Sequence, residues 1–314
     1  MSFAIRRVVQ TFVVLLVVSV LVFALIHAAP GGPVEMYLEN PNVRPEDIAR
    51  LRHQLGLDRP LPAQYVAWLA SFVRGDWGFS FSDGRPVIER LVERVPATLE
   101  LVGTSTLLAV IAALGAGVVS VKRRAVDRVT AIASVAGISL PVFWFGLVLQ
   151  LLFANALGWL PSSGRSSFGD TSLVDRLSHL VLPAIVLASA QVAGWSRYLR
   201  GSLRQALAMQ FTVAARSRGA SEWRIILRHA LRNALLPFVT VVFLDASIMA
   251  SGAVVTESVF AWPGIGGLFN EALARRDYTV LMAFLMCGAT AVALLNFVAD
   301  IAVHAIDPRT RPAT

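Results

Sequence analysis

The sequence predicts an all-α, polytopic membrane protein with six transmembrane helices and cytoplasmic N- and C-termini. Three observations carry this. Apolar residues make up 56% of the chain and charged residues only 15%, against about a quarter charged in a soluble domain. Six apolar stretches are each long enough, or nearly so, to cross a bilayer. The Lys and Arg residues are concentrated in alternate connecting segments.

A span of the hydrocarbon core takes roughly 20 mostly apolar residues. Val8–Ala29, Ala97–Val121, Val129–Phe153, Leu177–Tyr198, Leu235–Val255 and Val280–Ala302 meet or approach that length. In lipid the backbone must satisfy its own hydrogen bonds, so these segments are expected as helices. The alternation of a membrane barrel is absent. Val8–Ala29 follows Arg6–Arg7, as a secretory signal would, but its apolar stretch exceeds a signal core. It is read as an uncleaved first span that sets the orientation of the other five. The fourth span is the weakest, diluted by Ser178, His179 and Gln191. Pro141 and Gly146 in the third suggest a kink or a close contact. Cys287, the only cysteine, lies in the sixth span, so no intrachain disulfide is possible.

With a cytoplasmic N-terminus, segments 1–7, 122–128, 199–234 and 303–314 face inward. Together with Arg197 they hold 16 of the 28 Lys and Arg and only the acids Asp127, Glu222 and Asp307. The outside segments hold 12 basic and 14 acidic residues. This is the positive-inside distribution. It accounts for the net charge of +8 without nucleic acid as a partner.

The chain divides into an N-terminal stretch with the first span (1–29), an extracytoplasmic helical subdomain (30–96) and a core of five spans (97–314). In the subdomain, Pro45-Glu46-Asp47 starts a helix that Gly56 stops, with Ile48, Leu51 and Leu55 on one face. A second helix is expected from Gln64 to Arg74, burying Tyr65, Trp68, Leu69 and Phe72, and a third from Pro86 to Val95, ended by Pro96. The subdomain reads equally as a cap on the spans or as a docking surface. In the 199–234 segment Gly219 separates two helical patterns. Ser221 can cap the second and Glu222 suits its positive end. Arg224, Arg228 and Arg232 recur every four residues, opposite Leu227, Ala230, Leu231 and Ala234. Like charges at this spacing repel by about 0.2–0.5 kcal/mol per pair, so the stripe asks for anionic headgroups or an acidic partner. On charge alone it is a helix lying on the membrane surface.

At this point the residues resemble a known family, the permease subunits of ABC importers of the dipeptide and oligopeptide type. Ala214-Ala215, Gly219 and the run His229–Leu236 before Pro237 are similar to that family's EAA loop, with Val213 where its Glu would stand. Further resemblances follow in chain order. They are Leu55–Leu61, Arg74-Gly75-Asp76-Trp77-Gly78, Pro96–Leu101, Leu140-Pro141-Val142-Phe143-Trp144, Gly158-Trp159-Leu160-Pro161, Glu257–Gly266 and Asp307–Arg311. The resemblance implies a MetI-like fold in the bacterial inner membrane. It implies a second homologous permease, two cytoplasmic ATPase domains and an extracytoplasmic solute-binding protein. It also implies a coupling segment at Ala214, Ala215, Gly219, Ala220, Ser221, Glu222, Arg224 and Arg228. The loop of Phe260, Trp262, Pro263, Gly264 and Gly266 would then approach the binding protein or the mouth of the pathway; read as residues alone, it is an interfacial turn. Nickel and glutathione importers share these motifs and stay open as alternatives. A secondary transporter is the more remote competitor, since internal repeats and midplane coupling acids are missing.

No cofactor is expected in the chain itself. A P-loop needs a lysine directly after its last glycine, and the sole lysine, Lys122, follows Val121. ATP and its Mg would be held by partner ATPases. None of the five histidines has a metal-ligand partner at the right spacing, and no nucleophile elbow occurs, so no enzymatic activity is expected. Charge at bilayer depth is costly, by about 2.5–3.5 kcal/mol on insertion scales. Asp245, the deepest acid, and Glu257 are therefore candidates for the translocation pathway, with a hydrogen bond to a neighbouring helix as the equal alternative for Asp245. Asp300 is expected to be structural, and Glu100 to reach water.

Overall fold

The computed structural model describes residues 3–28, 46, 50, 53, 58–170 and 172–306. Among them the chain is helical nearly throughout, with one isolated bridge between Phe79 and Pro86. The helices are α1 (Phe3–Ala28), α2 (Leu61–Val73), α3 (Val87–Lys122), α4 (Arg124–Ser139) and α5 (Val142–Leu149), which runs into a π-helical segment, π1 (Gln150–Ala156). Then follow α6 (Leu173–Ala208), α7 (Gln210–Ser217), the short α8 (Glu222–Arg224), a second π segment, π2 (Ile225–Ala230), and α9 (Leu231–Val259). The last are α10 (Ile265–Ala274) and α11 (Tyr278–Ile306). The expected helix near residues 45–56 and the Asp307–Arg311 motif lie outside the described residues, as does the side chain of Asp300.

Among the described residues, five helical runs are long and apolar enough to cross a membrane: Ile5–Ala28, Val87–Lys122, Leu173–Ala208, Glu222–Asp245 and Tyr278–Ala299. The expected third span is not one helix. It is divided at Leu140-Pro141 into α4 and the shorter apolar run Val142–Ala156. Proline disfavours helical backbone in the residue before it and removes a helix hydrogen bond. Here Pro141 becomes the first turn of α5, with φ −60° and ψ 131°. Pro96 behaves differently. The expectation that it ends a helix is corrected, because α3 runs through it without interruption.

The chain forms two compact units, residues 1–96 with 264–294 and residues 97–263 with 295–314. In the first, Val22 and Phe23 of α1 pack with Met282, Tyr65 and Trp68. Val87, Leu91, Leu268, Tyr278 and Leu281 form a second cluster, joined by Phe72 and Trp77. Of the face expected of the 64–74 helix, Tyr65, Trp68 and Phe72 are partly buried against these clusters.

In the second unit α6 is the hub. It packs on α4, α5, α7, π2 and α9, and half of its most apolar window is buried. The span that looked weakest is the most buried of the five, and of its polar residues His179 is buried and Ser178 and Gln191 partly so. Its residues Trp195, Leu199, Leu203 and Ala206 share one core with Ala109 and Ala113 of α3, Ile226 and Ala230 of π2, and Ala234 and Phe238 of α9. Gly117 allows the closest approach, since a Cβ there would lie 2.8 Å from Leu199 Cδ2. Gly146 of α5 does the same against Val259, at 3.1 Å. Gly117→Val should therefore overpack the α3–α6 contact and cost about 1–3 kcal/mol. Thermal unfolding of the detergent-solubilised protein checks this, and an unchanged midpoint would count against the contact.

Candidate functional site

The 199–234 segment is a helix–turn–helix built on one glycine. After α6 the backbone of Met209 is extended, and the Thr212 hydroxyl donates to the carbonyls of Leu207 (2.8 Å) and Met209 (2.7 Å), starting α7. At the other end of α7 Gly219 has φ +79°. Its N–H donates to the Arg216 carbonyl (3.0 Å) and that of Ala220 to the Ala215 carbonyl (3.2 Å). These two bonds are the Schellman pattern, which needs a left-handed residue at the glycine. The turn is closed from outside by an ion pair, Arg216 Nε donating to Glu222 Oε1 at 2.8 Å and Nη2 to Oε2 at 3.2 Å. The accepting carboxylate pushes the Arg216 guanidinium above its ordinary pKa.

Two expectations need correction. Ser221 has the backbone of an N-cap, φ −64° and ψ 148°, but its hydroxyl makes no capping bond. Glu222 is engaged sideways by Arg216. Of the apolar face expected of the second helix, Ala230 and Ala234 are buried and Leu231 packs against the core, but Leu227 is exposed and Ile225 and Ile226 are buried instead. The cause is π2, whose wider turn shifts the register from the one a uniform α-helix would have. Of the remaining segment residues, Ala215 is buried, Ala214, Arg224 and Arg228 are exposed and Ala220 is partly so. Arg218, Arg224, Arg228 and Arg232 make no ion pair among the described residues. Met209, Val213 and Leu227 are exposed between them.

Asp245 Oδ2 accepts a hydrogen bond of 2.7 Å from Trp195 Nε1 of α6, so its carboxylate is tied to a neighbouring helix. Trp195 is itself buried and packs edge-on against Phe238 at 6.3 Å. Glu257 is 1% exposed and accepts from the Thr98 hydroxyl at 2.6 Å. In this conformation it is enclosed and does not line an open path. An apolar cavity of about 430 Å³ lies among α3, α4, α5 and α6, lined by Leu108, Gly137, Phe145, Ile185, Val192 and Ser196 among others. Neither Asp245 nor Glu257 borders it.

The loop after α9 turns two of its aromatics inward. Phe260 and Trp262 are each 1% exposed. Trp262 Nε1 donates to the Ala97 carbonyl at 2.8 Å, and the Phe260 carbonyl accepts from the Gly164 N–H at 2.9 Å. Ala261, between the two, takes φ +46°. Pro263 is partly exposed, whereas Gly264, extended ahead of α10, and Gly266 are buried.

Three polar clusters escaped the sequence reading. Glu100 does not simply reach water. Arg165 and Arg176 both grip it, with Nη2 of each 2.6 Å from Oε2. Asp127 is gripped likewise by Arg200 (2.6 Å) and Arg204 (2.9 Å); burial opposes its ionisation, but the two guanidiniums outweigh that and hold its pKa below the ordinary value. Asp277, 0% exposed, caps α11 through the Val280 N–H (3.4 Å), accepts from the Ser80 hydroxyl and lies 3.7 Å from Arg90 Nη1. The cap was legible as an Asp before an apolar run; the partners, far away in sequence, were not.

Comparison with known proteins places these features. Residues 105–312 match the family model described as binding-protein-dependent transport system inner membrane component. Residues 1–102 match the N-terminal model of such membrane components. The oligopeptide transport system permease protein AppB of Bacillus subtilis is 38% identical, with 98% of each chain covered. The di/tripeptide transport system permease protein DppB of Pseudomonas aeruginosa is 37% identical, with 99% of each covered. The glutathione transport system permease protein GsiC of Escherichia coli is 35% identical over 99% of each. An inward-facing structure of the MetNI methionine ABC transporter shares the fold. Its TM-score is 0.57 at 20% identity, covering 71% of this chain and 99% of that one.

The Trp262 geometry makes a graded prediction. Trp262→Phe keeps the bulk but loses the bond to Ala97 and should cost about 1 kcal/mol; Trp262→Ala should cost about 3–5 kcal/mol. Thermal unfolding measures both. Full stability in the alanine variant, with transport reduced, would make the residue a docking aromatic instead.

Proposed function

This chain belongs to the family of binding-protein-dependent transport system inner membrane components, and from that premise we propose that it forms half of the pathway of an ATP-driven importer of short peptides. It is a multi-pass subunit of the bacterial cytoplasmic membrane and acts as an ABC permease. The finer reading adds a second homologous permease, two cytoplasmic ATPase domains that hold ATP and Mg, and an extracytoplasmic binding protein that delivers the peptide. Both termini are cytoplasmic in this reading, as the charge distribution asks.

One observation carries the coupling role: the Gly219 turn. Its inner side, Ala215, Ile225, Ile226 and Ala230, is buried, and π2 packs on α6. Its outer side presents Val213, Leu227 and exposed arginines. A segment anchored on one side and bearing apolar and cationic groups on the other fits a rigid lever in the groove of an ATPase. Its motion would carry α6 and α9 between inward- and outward-open states. For the substrate, the relatives matched over nearly their whole length are named for oligopeptides, di- and tripeptides and glutathione. Glutathione is itself a tripeptide, so this second reading stays within the same substrate class. Asp245 keeps a proposed part as the deepest carboxylate beside the route, able to meet a peptide's amino group when Trp195 releases it.

The lever can be tested at its glycine. A Cβ at Gly219 would find open space, so any substituent is penalised by its backbone alone, by about 1–2 kcal/mol. In the complex with its partner subunits, reconstituted in liposomes, Gly219→Val should hydrolyse ATP while taking up little peptide. Gly219→Asn, which tolerates left-handed backbone, should stay nearer wild type. Normal peptide uptake per ATP in the valine variant would overturn the coupling role. Failure of the wild-type chain to purify with a second permease and two ATPases would overturn the importer reading.

A further inference from the structure

Lys122 is the only lysine among the 28 basic residues of the chain, and it is the last residue of α3. Its Nζ stands 4.6 Å from the centroid of the Trp223 ring, inside the range in which a cation is attracted to an aromatic face. Trp223 is the middle residue of α8, the first turn after Gly219 and Ser221, and is 39% exposed. The lysine also completes the C-terminal end of α3, where a cation complements the unsatisfied carbonyls. Behind it, Gly117 is pressed against Leu199 of α6 and Ser120 is buried. The end of α3 that carries Lys122 is thus a fixed point of the second unit.

The 199–234 segment is joined to α6 and α9 by the backbone, but α3 ends 77 residues before it and has no such direct link. We propose that Lys122 is a positioning residue: its contact with Trp223 passes movement of the coupling segment to α3. The inference rests on the coupling role given to that segment. Trp223 suits the task because it meets Lys122 and, as a partly exposed residue, leaves surface for a partner that grips the segment. A partner that shifts the ring must either draw Lys122 and α3 with it or break the contact. The rest of the connector is held separately, since Arg200 and Arg204 clamp Asp127 to α6. The Lys122–Trp223 pair is therefore a side-chain contact through which α8 can address α3.

The experiment uses the complete complex in liposomes and reads peptide taken up per ATP hydrolysed. Lys122→Met keeps the aliphatic stem and removes the charge. It should lower that ratio about two- to fivefold, the effect of an exposed cation–π contact on a two-state equilibrium, with ATP hydrolysis and membrane abundance unchanged. Lys122→Arg, which preserves the cation and its attraction to the ring, should restore the ratio. In a Trp223→Leu background, Lys122→Met should have no further effect. Wild-type coupling in Lys122→Met, or a full additional loss in the Trp223→Leu background, would overturn the proposal. So would failure of the arginine variant to restore coupling. If Gly219→Val uncouples while Lys122→Met does not, this contact alone is wrong; if neither uncouples, the coupling role of the segment is wrong as well.

Discussion

Helix α6 packs on α4, α5, α7, π2 and α9, and that packing sets conditions the rest of the second unit has to meet. A buried indole N–H needs an acceptor, because leaving one unsatisfied costs about 1–3 kcal/mol. Trp195 finds it in Asp245, so one bond serves a buried donor on α6 and a charge that would otherwise be stranded in α9. Close packing needs small residues at the crossings, and Gly117 and Gly146 provide them, against α6 and against the end of α9 respectively. Beside α6, carboxylates are paired by arginines near each end: Glu100 with Arg165 and Arg176, Asp127 with Arg200 and Arg204. Apolar packing fills the middle and ion pairs hold the margins, where water can reach.

Both turns that flank this core hold their shape by backbone geometry. At Gly219 the Schellman bonds set the angle between α7 and α8, and the Arg216–Glu222 pair braces it. At Phe260–Trp262 two buried aromatics and the bond to Ala97 fix the exit from α9. A subunit that converts a partner's motion into helix movement gains from such stiffness, since a soft joint would absorb the displacement. In the first unit Asp277 does a comparable job, joining the start of α11 to the Ser80–Arg90 region.

Much of this was legible in the sequence. Apolar length located the membrane helices, and Gly219 was identified as the pivot because glycine between two helical patterns has few other uses. The misreadings have specific physical causes. Pro96 and Pro141 were both read as interruptions, the first between a loop helix and a span, the second inside a span. Around Pro96 the helix is held by burial on both sides, with Val87 and Leu91 before it and Ala97 and Leu101 after. Before Pro141, Ser139 and Leu140 are exposed, and nothing offsets the roughly 3 kcal/mol penalty of an interior proline. Leu227 was assigned to the buried face because a 3.6-residue period was assumed through Ile225–Ala230, where the chain is π-helical. Trp262 was legible as an aromatic on a turn, but its burial and its bond to Ala97 were not; interfacial preference gives an indole's depth, not its direction. The carboxylate clamps depend on pairs such as Glu100 with Arg176, which only the folded chain brings together.

The scarcity of lysine has a practical side. Apart from the α-amino group, amine-directed chemistry can address one side chain in this protein, and that side chain sits on the Trp223 ring. An acyl group or a dye placed there removes the cation without any change of sequence. The same position thus serves as a single-site chemical label and as a removable charge, at the seam between α3 and the segment that follows Gly219.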